Sequence, residues 1–94
     1  MDLKEYMDKR FTEDPELKKE YDDLGPEYKM ILQLIRLRKK KKISQYKLAE
    51  LLDTKQPSIA RLESGNYNPT FKFLKKIAEV LDAELEVKFK SKAG

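Results

Sequence analysis

Apolar residues recur every three or four positions along most of this chain, and the breaks in that rhythm divide it into elements. Leu3, Tyr6, Met7 and Phe11 share one face of a short helix over residues 2–11. Asp14 followed by Pro15 is a helix start. The carboxylate can accept from the first free N–H groups, and proline is harmless in the first turn. Leu17, Tyr21 and Leu24 form the stripe of that second segment, and Gly25-Pro26 punctuates its end. Neither segment is long enough to be a stable helix alone in water. Residues 27–42 read as a longer helix, with Ile31, Leu34, Ile35 and Leu37 inward and "RLRKKKK" at its end, where cations complement the helix dipole. Ser44 caps a helix through Leu52 whose apolar side is Leu48, Ala49 and Leu52. Asp53 and Thr54 turn the chain, Ile59 and Leu62 carry the next short helix, and Gly65 stops it. After the loop "NYNPT", Thr70 caps a last helix bearing Leu74, Ile77, Ala78 and Leu81.

At the end the period changes to two. Leu85, Val87 and Phe89 alternate with Glu86, Lys88 and Lys90, the pattern of a strand. A lone strand on a helical chain has no sheet to join, so its backbone groups need a partner. A second copy of the chain, paired antiparallel about a two-fold axis, would supply one. Leu85, Val87 and Phe89 are therefore expected to form a homodimer contact.

Composition narrows the function. Ninety-four residues make one small domain with an arm, 40% of them charged. At this length folding buries only about 60–65% of the unfolded surface, which makes a partner a natural source of stability. The chain has no cysteine and no histidine. Disulfides, thiolate chemistry, the commonest general base and the commonest metal ligand are thereby excluded. With only three glycines there is no Gly-rich phosphate loop either, so an enzyme is not expected, and no cofactor or metal is called for. No stretch approaches the ~18 apolar residues of a membrane span, and the N-terminus has no apolar signal core, so a cytoplasmic protein without membrane contact is expected. The net charge of +4 conceals a split. Residues 1–27 hold ten acids against five bases, a net of −5, and residues 28–94 hold sixteen bases against seven acids, a net of +9. Two surfaces with different partners are implied, one suited to phosphate and one to something basic.

"SQYKLAELLDTKQPSIARLESG" (residues 44–65) joins helix, tight turn, helix and glycine stop, with Ala49 small enough for the helices to cross closely. That is the layout of a helix-turn-helix, whose second helix presents its N-terminal side chains to base edges in the major groove. Gln56 can bond adenine N6 and N7, and Arg61 guanine O6 and N7, while Lys55 and Ser58 are placed for phosphate or base contact. The segment closely resembles the Cro/cI-type (XRE) DNA-binding family through Ser44, Gln45, Leu48, Ala49, Gln56, Ile59, Leu62, Glu63 and Gly65. It departs at the turn, where Asp53 stands for the usual glycine, and at Lys42, which stands for the glycine before the apolar residue of "ISQ". The resemblance implies that Gln45 meets backbone phosphate and braces Gln56. It also implies that Asn66, Tyr67 and Lys72 meet the backbone on the flank, and that Arg38 pairs with Glu63 as a link between helices.

The binding domain is complete from residue 27, which leaves residues 1–26 as an acidic helical arm, residues 27–83 as the DNA-binding domain and residues 84–94 as a dimerising strand and tail. Asp14, Pro15, Tyr21, Leu24, Pro26, Glu27 and Tyr28, placed upstream of such a domain, resemble the HigA-type antitoxins. That resemblance implies a HigB/RelE-type ribonuclease toxin as partner, against which Leu3, Tyr6, Met7, Phe11, Leu17, Tyr21 and Leu24 would lie. It also implies repression of the chain's own operon through a palindromic operator in double-stranded DNA. A plain Cro/cI-type repressor whose arm packs on its own domain is the alternative. The fold expected is all-α: a five-helix Cro/cI-like helix-turn-helix domain with an N-terminal helical arm and a short C-terminal β-strand.

Overall fold

A computed structural model describes residues 3–93; Met1, Asp2 and Gly94, which the expected arm and tail include, lie outside the described residues. Six helices follow one another: α1 (Leu3–Glu13), α2 (Pro15–Asp22), α3 (Pro26–Lys40), α4 (Gln45–Leu51), α5 (Gln56–Glu63) and α6 (Phe71–Val80). Local chemistry sets their starts. Asp14 accepts from the Leu17 N–H, Ser44 from Lys47 and Thr70 from Phe73, each at 3.0–3.1 Å. Pro15 and Pro26 occupy the first helical positions of α2 and α3, where no N–H is missed.

Two expectations need correcting. The domain over residues 27–83 holds four helices, α3 to α6, not five; "GNYNPT" between α5 and α6 runs as the irregular chain expected of a loop and adds none. The expected strand over Leu85–Phe89 is also absent. Residues 83–90 are neither helix nor strand, and no strand occurs among the described residues. An alternating pattern becomes a strand only when another edge satisfies its N–H and C=O groups, and a single chain of helices supplies none.

The core lies between α3, α4, α5 and α6. Leu34, Leu48, Ala49, Leu52, Ile59, Leu62, Ile77 and Leu81 are buried there, with Leu37, Ile43, Phe73 and Leu74 packed around them. Ile31 is buried as well. Helix α3 is apolar on more than this one face. Leu32 and Arg36 border a small cavity together with Tyr6, Met7, Phe11 and Leu17 of the arm, and α1 packs against α3. Phe11 and Tyr21 hold the arm's two helices together, with ring centroids 5.1 Å apart. The Tyr21 hydroxyl accepts a hydrogen bond from Gln33 Nε2 at 2.6 Å, fixing the arm to α3.

Candidate nucleic-acid interface

Between α4 and α5 the chain reverses in four residues. Asp53 takes the left-handed backbone at φ 55°, its N–H bonds to the Glu50 carbonyl at 3.1 Å, and the Thr54 N–H bonds to the Ala49 carbonyl at 2.9 Å. This paired closure satisfies the last carbonyls of α4 and aims α5 across it. Leu48 and Ala49 on α4 and Ile59 and Leu62 on α5 are almost wholly buried and weld the two helices into one unit.

A polar relay runs from that core to the N-terminus of α5. Arg38 on α3 is only 7% exposed. It grips Glu63 through two bonds, Nε to Oε2 at 2.7 Å and Nη2 to Oε1 at 2.9 Å, and its Nη1 donates to the Ile43 carbonyl at 2.8 Å. Glu63 Oε1 also accepts from Gln45 Nε2 at 2.9 Å, and Gln45 Oε1 accepts from Gln56 Nε2 at 2.9 Å. The direction of this relay is forced. A carboxylate only accepts, so Gln45 must turn its NH₂ to Glu63 and its oxygen to Gln56. Gln56 must then turn its NH₂ inward, which leaves its carbonyl oxygen and second N–H for a ligand. One acceptor beside one donor is the pair that reads adenine N6 and N7.

The other expected contact residues differ in exposure. Lys55 precedes α5 and is exposed, Ser58 is half-buried in its first turn, and Arg61 is exposed with no side-chain partner among the described residues. Pro57 sits in the first turn of α5 without interrupting it. Asn66 donates to the Ser64 hydroxyl at 3.1 Å, Tyr67 stands edge-on to Phe73, and Lys72 is exposed in the first turn of α6. The structure therefore joins Gln45 and Gln56 directly and leaves Lys55, Arg61, Asn66, Tyr67 and Lys72 exposed. Sequence reasoning passed over Tyr46, an exposed aromatic in the first turn of α4 beside Gln45. Its signal was available: position 46 lies off the stripe of Leu48, Ala49 and Leu52.

The residues expected to meet a toxin are differently placed. Leu3, Tyr6, Met7, Phe11, Leu17 and Tyr21 are half-buried within the arm and against α3, and only Leu24 is exposed. The arm's outward face carries charge instead, including the exposed acids Asp8, Glu13, Glu16, Glu20, Asp22 and Asp23.

An α4–α5 pair crossing through Ala49, with a polar relay ordering the first side chain of the second helix, defines a helix-turn-helix DNA-binding protein. The helix-turn-helix family pattern matches residues 34–88, more than half of the chain, and the chain belongs to that family. It is also similar to two curated relatives, each named "Antitoxin HigA1", from Mycobacterium tuberculosis strains CDC 1551 / Oshkosh and ATCC 25618 / H37Rv. Identity is 29% over 86 residues in both, covering 92% of this chain and 58% of the relative. The chain thus spans little more than half the length of the curated relatives it matches. No solved structure gives a significant match.

Proposed function

We propose that this chain is a homodimeric antitoxin. It binds a palindromic operator and represses its own operon, and it neutralises a HigB/RelE-type mRNA-cleaving toxin. The observation that carries the first half is the relay ending at Gln56, which presents one acceptor and one donor at the start of the recognition helix. Gln56 and Arg61 read bases, while Lys55, Ser58, Asn66, Tyr67, Lys72 and the exposed part of Gln45 hold the backbone. A protein of this kind regulates by binding and carries out no catalysis. In a two-fold dimer the half-sites lie about one helical turn, ~34 Å, apart.

The toxin half rests on the reach of the likeness to the antitoxins. A match of 86 residues cannot fit within the 55 residues of the helix-turn-helix segment and must run into the arm. The arm's acidic outer face suits a basic partner, and electrostatic complementarity of this kind speeds and steers association. One observation favours a plain Cro/cI-type repressor instead: Tyr6, Met7, Phe11 and Leu17 of the arm are half-buried and border the same small cavity as Leu32 and Arg36 of α3.

Capture from host lysate separates the two readings. The full chain is expected to retain a small basic protein, identified by mass, that abolishes translation in a cell-free reaction until the full chain is added back. A version starting at Glu27 should retain the DNA but not that protein. Retention of the same proteins by both versions, or of none, would leave the plain repressor.

A further inference from the structure

Four of the described residues carry a positive φ, and three of them are residue types that tolerate it. Gly65 has no Cβ, and Asp53 and Asp82 have the short polar side chains suited to the left-handed region. The exception is Lys42, at φ 59° in the turn between α3 and α4. Its long aliphatic stem offers that backbone no local hydrogen bond, and glycine would occupy the turn with less strain.

Nothing within the described chain accounts for the lysine. The last carbonyls of α3 are already satisfied by backbone: the Lys41 N–H bonds to Leu37 at 3.1 Å, Lys42 to Lys39 at 2.9 Å and Ile43 to Arg38 at 3.1 Å. Arg38, Lys39 and Lys40 already set positive charge in the last turn of that helix. Lys41 lies 3.9 Å from Asp82, whereas Lys42 is exposed and has no ion pair or side-chain hydrogen bond among the described residues. A side chain that strains the backbone without an internal partner points to a role outside the chain. The turn is fixed to the candidate interface. Arg38 Nη1 holds the Ile43 carbonyl at 2.8 Å, and the Ser44 hydroxyl caps α4. Gln45, whose side chain meets Gln56 at the start of the recognition helix, follows three residues after Lys42. Three residues span at most about 11 Å, and successive phosphates of one DNA strand rise by about 3.4 Å. Lys42 is thus within a few phosphates of the backbone position expected for Gln45.

We propose that Lys42 is a further DNA-binding residue, whose ammonium meets a backbone phosphate near the one that Gln45 meets, outside the bases read by Gln56 and Arg61. The inference rests on the DNA-binding half of the proposed function and adds a contact to it. Glycine in the turn would relieve the backbone and lose the charge, so the lysine gives up stability for binding.

Salt titration of binding tests it, on the duplex that the wild-type chain selects most strongly from a random-sequence pool. Lys42→Gly and Lys42→Asn should each raise the melting midpoint, yet bind that duplex about fivefold more weakly per bound copy at about 0.15 M salt. The slope of log affinity against log salt should become shallower by about 0.9 per copy, while the selected sequence stays the same. Lys42→Arg keeps the charge and should match the wild-type slope. Lys39→Gln removes a charge from the same lysine run without touching the turn and should leave the slope nearly unchanged. A lysine with a merely structural role would not move stability and binding in opposite directions. Unchanged slopes in Lys42→Gly and Lys42→Asn, an equal change in Lys39→Gln, or a slope lost in Lys42→Arg as well would each overturn the assignment of Lys42 while DNA binding stands. A wild-type chain that selects no duplex overturns the DNA-binding reading itself.

Discussion

At the scale of single residues, the candidate interface depends on one buried ion pair. Arg38 and Glu63 are nearly excluded from water, and breaking such a pair from one side leaves an uncompensated charge. Glu63→Ala should therefore lower stability by about 3–5 kcal/mol in chemical denaturation, far more than a surface charge would. The same change releases Gln45 and so unfixes Gln56. Arg61 stands apart from this relay, exposed and unpaired by its side chain among the described residues. Arg61→Ala should leave the denaturation midpoint unchanged and cost about 1–3 kcal/mol of operator affinity, relaxing preference at one base pair. A uniform loss across all sequences would assign Arg61 to phosphate instead. The residues of the relay were legible, but only in pairs: Arg38 with Glu63 and Gln45 with Gln56. That Gln45 bridges the two pairs depends on α3, α4 and α5 meeting at one point, and no spacing along the chain encodes it.

At the scale of elements, the four domain helices end alike. Lys42, Asp53, Gly65 and Asp82 all adopt positive φ, between 54° and 82°, just beyond α3, α4, α5 and α6. In each case that residue's N–H bonds three residues back and the next N–H bonds five back, as Lys42 to Lys39 and Ile43 to Arg38 show at 2.9 and 3.1 Å. Only one of the four is glycine. The left-handed conformation costs a side-chain-bearing residue roughly 1–2 kcal/mol, less for aspartate, whose short polar chain tolerates it. Lys42→Gly should therefore stabilise the fold by about 0.5–1 kcal/mol once the greater freedom of the unfolded glycine is set against the relief. That would raise the melting midpoint by roughly 2–8 °C. Gly65 is bound to its residue type twice over, because a Cβ there would also meet the Tyr28 ring at 3.3 Å. Caps and stops were readable because they act within a few residues. The departures at Lys42 and Asp53 from the family's glycines marked two of these ends, whereas the stop at Asp82 carried no mark.

At the scale of the whole molecule, α3 serves two neighbours, and this ties the arm to the domain. Leu32→Ser should loosen α1 and α2 without unfolding the core. Hydrogen exchange should then show lost protection over residues 3–22 and little change at Leu48, Ile59 and Leu62. Equal loss everywhere would show that arm and core melt as one unit. Binding to DNA should weaken steeply with salt, by about 0.9 logarithmic units per phosphate for each tenfold rise. Lys72→Ala should reduce that slope by about one per contact while leaving sequence preference intact. The chain's pattern alone determined where the chain is helical, though not the number of helices in the domain, together with the caps at Asp14, Ser44 and Thr70, the helix-turn-helix and the division of charge between arm and domain, since all of these arise from interactions among near neighbours. Tertiary structure decided which faces are covered. Met30 and Leu32 lie beside the stripe read as α3's inner face, and periodicity cannot say that a second face is buried until a second element packs on it. For the same reason the alternation at 85–89 promised a strand that one chain cannot form. Side-chain pattern proposes a sheet, but backbone pairing makes one, and that requires an edge that none of the described residues provides.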